Sequence, residues 1–129
     1  MKIMKKKNLK KDLSDLSYEV TQNGGTEPPY SGAYNDFFEE GDYFCICCNE
    51  KLFNSKDKFK SSSGWPSFTN SVNSSILKYI EDHSYNMVRT EVRCKKCNAH
   101  LGHVFNDGPN PSGKRYCINS VSLSFKKND

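Results

Sequence analysis

The chain has 129 residues and a mass of 14.7 kDa, enough for one domain with a modest core. Hydrophobic residues make up 35%, aromatic residues 12%, and mean hydropathy is −0.80, a composition that excludes a wholly disordered chain and an integral membrane protein. The net charge is +4, and Lys2, Lys5, Lys6, Lys7, Lys10 and Lys11 hold the basic excess, so the rest of the chain carries no charge signature of a nucleic-acid binder.

Residues 1–8 read as a solvated basic tail. No apolar stretch of a signal peptide follows the lysines, and residues 1–16 contain no arginine of the kind a presequence needs, so a cytoplasmic location is expected. Leu9, Leu13, Leu16 and Val20 recur at helical spacing, and Asn23-Gly24-Gly25 supplies a stop, which predicts a short amphipathic helix over about 9–20. Glu27-Pro28-Pro29 reads as a linker. The expected organisation is therefore a basic tail and helix over 1–25 and a single β domain over 26–129. Tyr43 to Ile46 reads as a strand, as do 76–81 and 87–93. In the next run Leu101, His103 and Phe105 share one face, with His100 and Val104 on the other. Arg115, Cys117 and Asn119 share a face of an extended segment, and Val121, Leu123 and Phe125 alternate with serines. Many short strands with Gly/Pro turns predict a mainly β fold of packed antiparallel strands, without βαβ units.

The chemistry lies in the cysteines. Cys45 and Cys48 form one C-x-x-C pair, and Cys94 and Cys97 form another. Two such turns present four thiolates, the full tetrahedral shell of a structural zinc with no open position. In a chain with no secretion signal, this reading outweighs four buried thiols or a redox pair. Cys47, inside the first pair, reads as a bystander, and Lys95 and Lys96 would sit beside the thiolates. Cys117 stands alone. Arg115 beside it would lower its pKa, and a histidine such as His103 could serve it as acid or base. An inert buried cysteine and a core histidine are the plainer reading of those residues taken alone. Trp65, the only tryptophan, follows a glycine and precedes Pro66, and either packs in the core or walls a small apolar pocket.

Longer blocks carry more. Gly64-Trp65-Pro66-Ser67-Phe68, the run from Arg93 to Phe105 that contains Cys94, Cys97, His100 and His103, Asp107-Gly108-Pro109, and Arg115 to Ser120 resemble, in order, the signature blocks of methionine sulfoxide reductase B. Leu52-Phe53 belongs to the same resemblance, which covers about 26–125. It implies a two-sheet β domain with a structural zinc, and reduction of the R epimer of methionine sulfoxide in oxidised proteins. By position it implies Cys117 as nucleophile, His103, Asn119 and Arg115 as further catalytic groups, and Trp65, His100 and Phe105 at the substrate. Members that regenerate through an internal disulfide often carry a cysteine just before the Gly-Trp-Pro block. Here that position is Ser63, and a second such position reads Ser31. The family's Ser-His-Gly-Met run reads Ser84-Tyr85-Asn86-Met87. Regeneration by an external reductant, thioredoxin or a small thiol, is therefore expected.

The alternative from another class is a zinc-stapled interaction module, binding RNA or an acidic partner through the lysine tail. Cys117, His103 and Trp65 separate the two readings, because a binding module has no use for an isolated thiol beside Arg and His. The enzyme is expected to be a monomer, with no membrane or nucleic-acid partner.

Overall fold

Short segments in which apolar and polar side chains alternate, broken by Gly, Pro and Asn turns, fold into nine strands among the described residues. The computed structural model describes residues 11–128. The expected basic tail over 1–8, and Leu9 with it, lie outside the described residues.

A three-stranded sheet has the order β2-β1-β9, where β1 is Gly41–Cys45, β2 is Lys51–Asn54 and β9 is Leu123–Lys127. A six-stranded sheet combines β3 (Lys58–Phe59), β4 (Ser67–Phe68), β5 (Leu77–Asp82), β6 (Arg89–Cys94), β7 (His100–Phe105) and β8 (Arg115–Ile118) in the order β3-β4-β8-β7-β6-β5. All pairings are antiparallel. The core is rich in aromatic rings: Tyr43 and Phe53 from the small sheet meet Phe68 from the large one, with the Phe53 and Phe68 rings stacked at 4.4 Å. Ring pairs of this kind add to the area they bury.

The helix α1 spans Asp15–Asn23 rather than 9–20. Ser14 sets its start, because its side chain accepts a hydrogen bond from the Ser17 N–H, and Gly24 ends it in the left-handed region. Val20 is fully buried, and the Ser17 hydroxyl donates to the Val121 carbonyl at 2.7 Å, fastening the helix to the β domain. Val121 itself lies in a 3-10 turn, Ser120–Ser122, not in the strand that the alternation suggested. The strands β2, β3 and β4 are too short to show a period of two and were not legible.

Glu27 corrects the linker reading. It is 1% exposed, and its N–H, carbonyl and carboxylate all bind other segments, as described below. Gly102 has a packing role: a Cβ there would strike the Cys117 carbonyl, so glycine lets β7 and β8 approach closely.

Candidate active site and metal centre

The outer face of the large sheet holds the reactive side chains because of register. His103 lies directly opposite Cys117 across β7 and β8, and Cys117 lies opposite Ser67 across β8 and β4. Phe105 pairs with Arg115 one step further along. These residues open onto a cavity of about 330 Å³, lined by Cys117, His103, Arg115, Asn119, Trp65 and Phe105 among others. Six of the seven residues expected at the reaction centre thus meet in one place.

The seventh, His100, does not line this cavity; it lines a neighbouring one beside the C-terminal end of α1. It is also not on the opposite face from His103. The pairing of β6 with β7 shifts register between Val92 and Arg93, a bulge that turns His100 back to the His103 side. The two imidazoles stand 5.7 Å apart, edge to face. Each is held by a carboxylate that an arginine also holds. His100 Nδ1 lies 2.6 Å from Glu91 Oε2, to which Arg93 Nε donates at 2.7 Å. His103 Nε2 lies 2.8 Å from Asp82 Oδ2, to which Arg89 donates at 3.3 Å. Burial pushes the His100 pKa down against the pull of Glu91. The Asp82 carboxyl is held well below the usual carboxylate range by the Ser84 backbone N–H and by His103. With Nε2 engaged by Asp82, Nδ1 is the His103 nitrogen left for the cavity. Asp82 and Arg89 were missed in the sequence; only the fold brings residue 82 to residue 103.

Cys117 also departs from expectation. Burial raises its pKa, and the opposing pull of the Ser63 hydroxyl and the Arg115 guanidinium does not cancel that rise. Arg115 is divided: it donates to both oxygens of Asp107, at 2.9 and 3.2 Å, and lies over the Phe105 ring at 4.5 Å. The Cys117 thiol points at Ser63 Oγ, 3.9 Å away.

Glu27 organises the opposite wall. Its carbonyl accepts from Trp65 Nε1 at 3.0 Å, its N–H donates to Asn119 Oδ1 at 2.9 Å, and its carboxylate accepts from the Val121 N–H at 3.0 Å. Asn119 is 3% exposed and also donates from Nδ2 to the Leu101 carbonyl at 3.0 Å. Both ends of its amide are thus used in fixing the cavity wall. Trp65 is aimed by the same network, with Gly64 at φ 96 just before it.

The four paired cysteines converge where the two sheets meet. Cys45 ends β1 and Cys94 ends β6. The two turns are alike: Asn49 and Asn98 follow each pair at φ 65 and 67, and their N–H groups return to the Cys45 and Cys94 carbonyls at 2.8 and 2.7 Å. All four sulfurs lie within 4.8 Å of one another. Cys45 and Cys97 sulfurs are 3.5 Å apart and those of Cys48 and Cys94 3.6 Å apart. Four Zn–S bonds of about 2.3 Å place sulfurs roughly 3.8 Å apart, so this donor set could hold a tetrahedral metal ion. Cys47 is buried outside the quartet, where it accepts from Gln22 Nε2 at 3.5 Å. Lys96 reaches Glu50 at 3.5 Å, and Lys95 is exposed.

Comparison with known proteins places this geometry in context. The SelR domain matches residues 13–127. The chain is 56% identical over 119 residues to a peptide methionine sulfoxide reductase MsrB of Thioalkalivibrio sulfidiphilus, covering 92% of this chain and 87% of that one. It is 53% identical over 118 residues to the protein of the same name from Photorhabdus laumondii, covering 92% and 87%. A third, from Escherichia coli, is 51% identical over 117 residues, covering 91% and 85%.

Proposed function

The chain belongs to the SelR, or methionine sulfoxide reductase B, family and is a peptide methionine sulfoxide reductase; we propose that it works through Cys117 and takes the R epimer. The observation that carries the assignment is the meeting of a cysteine, a carboxylate-held histidine and a tryptophan in one cavity. In this reading the Trp65 wall receives the ε-methyl of the substrate, and the sulfoxide oxygen lies toward His103. The Cys117 thiolate attacks the sulfoxide sulfur. The oxygen takes the Nδ1 proton of the His103 imidazolium, whose Nε2–H stays with Asp82, and passes to Cys117, and the methionine thioether leaves. Cys117 is oxidised by two electrons to a sulfenic acid, and the sulfoxide is reduced by two. Asp82 is a positioning residue that keeps His103 turned to the cavity, with Arg89 behind it. Arg115 favours the thiolate, and Asn119 and Phe105 shape the wall. His100 acts beside His103 from the adjoining cavity.

Regeneration follows from the residues near the thiol. Ser63 occupies the place from which a resolving cysteine would act, and its hydroxyl cannot form a disulfide. Ser31 is exposed and its hydroxyl donates to the Pro28 carbonyl. Cys47 does not line the cavity. An external thiol, thioredoxin or a small thiol, therefore attacks the sulfenic acid, releases water, and a second thiol frees Cys117. The four paired cysteines would hold zinc, which supplies a structural cross-link and no step of the reaction. No observation favours the interaction-module reading.

The test is turnover of the separated epimers with dithiothreitol, combined with mass spectrometry of the enzyme after one turnover without reductant. The expected results are reduction of the R epimer only, loss of activity in Cys117→Ser with fold retained, and an added oxygen on Cys117. His103→Ala should slow the reaction about a hundredfold. Loss of two hydrogens, as a Cys47–Cys117 disulfide, would replace the external-thiol route.

A further inference from the structure

Five non-glycine residues among those described have positive φ: Tyr30 at 64, Asn49 at 65, Tyr85 at 57, Asn86 at 57 and Asn98 at 67. Asparagine tolerates this region, and Asn49 and Asn98 serve the cysteine turns. A bulky aromatic residue does not, and is found there only where its surroundings impose it. Yet the two tyrosines are not buried by their strained backbones: Tyr30 is 66% exposed and Tyr85 82%.

Their positions relate them. Tyr30 stands against the turn that carries Ser63 and Trp65: its N–H donates to the Gly64 carbonyl at 2.7 Å and its hydroxyl to the Ser62 carbonyl at 2.5 Å. Tyr85 stands beside Arg89, whose guanidinium is 5.9 Å from its ring, and Arg89 lines the same cavity as Ser63 and Trp65. The first turn leads into β4 and Arg89 opens β6, with β8 and β7 between them. The tyrosines thus flank Cys117 and His103 from opposite sides. Val88, three residues after Tyr85 and next to Arg89 in the chain, is also exposed, at 68%.

We propose that Tyr30 and Tyr85 form two aromatic shoulders that dock an extended segment of an oxidised protein, contacting apolar side chains about two residues before and after the methionine sulfoxide. The inference rests on the reductase reading of the cavity. Three strand spacings of about 4.8 Å separate β4 from β6, and an extended peptide covers that roughly 14 Å in about four residues. The class of partner follows from where methionine lives. It is mostly a core residue, so its neighbours on the same face of a strand are apolar too. Oxidation to the sulfoxide disrupts such cores and exposes the segment. Exposed rings beside residues that line the cavity suit that partner, and a folded surface or a free amino acid has no use for them.

The experiment compares kcat/KM for two acetylated pentapeptides with central methionine sulfoxide, one with Leu and one with Ser at both ends, and for N-acetyl-methionine sulfoxide. The wild type should prefer the Leu peptide by about fivefold or more, through KM, since burying an apolar side chain on a ring has that scale. Tyr30→Ser and Tyr85→Ser should each reduce the preference, and the double variant should abolish it, with N-acetyl-methionine sulfoxide turned over as before. If Tyr30→Ser damages the turn and slows the small substrate, Tyr85→Ser and Val88→Ser decide the matter. Equal use of both peptides by the wild type, or a preference that survives in Tyr85→Ser and Val88→Ser, would overturn the docking proposal. A wild type inactive on N-acetyl-methionine sulfoxide would instead remove the reductase reading.

Discussion

Cys117 sits between opposed influences. Burial favours the neutral thiol, while Ser63 and Arg115 favour the thiolate, and burial wins. The sign of the pH dependence follows. A thiol whose folded-state pKa is raised contributes stability that is intact below the unfolded value, near 8.5, and lost as pH climbs through the folded one. The thiolate fraction should accordingly grow only above the ordinary thiol range until substrate or reductant enters. Alkylation of the Cys117 peptide by iodoacetamide, followed by mass spectrometry, should show a midpoint above that range. Arg115→Ala should raise it further and slow alkylation at neutral pH severalfold. An unchanged midpoint would mean that Asp107 holds Arg115 too fully for it to act on the thiol. The sequence showed that Arg115 and Cys117 share a face, but not that Cys117 is buried or that Asp107 competes for the guanidinium.

At the scale of elements, the site depends on pieces that local pattern describes poorly. The Ser63–Trp65 turn carries two cavity residues on hydrogen bonds within itself and to neighbouring chain, and Gly64 gives it its shape at φ 96. A Cβ on Gly64 would press on Pro29 at 2.7 Å and force a left-handed backbone on an L residue. Gly64→Ala should therefore move the turn and cut kcat/KM on the order of tenfold to a hundredfold, while thermal stability falls modestly. Activity equal to the wild type would show that Trp65 need not be placed by this turn. The β6–β7 bulge teaches the same lesson. Strict alternation predicted His100 opposite His103, and the single register shift between Val92 and Arg93 reversed it. The helix end, by contrast, was legible in Gly24 of the Asn23-Gly24-Gly25 stop, whereas its start at Ser14 was hidden by the recurrence of Leu9, Leu13 and Leu16 at helical spacing.

For the whole molecule, the four-cysteine cluster joins the two sheets at the ends of β1 and β6, and the large sheet contributes the reactive face. If zinc closes the four-cysteine site, its binding energy is folding energy. Cys94→Ser should lose metal and thermal stability together, and prolonged chelation of the wild type should lower the melting temperature in step with zinc content. A metal-free variant as stable as the wild type would remove the structural role. The amino-acid sequence by itself determined the β class, the two cysteine turns, and the blocks around Trp65, His103 and Cys117, because turn chemistry, ligand spacing and strand period are local properties. Tertiary structure alone decided the rest. It brought Asp82 to His103 and Glu27 to both Trp65 and Asn119, separated His100 from the main cavity, and set the thiol pKa. Those outcomes depend on strand register, burial and competition between charges that lie far apart in the chain, and no local pattern encodes them.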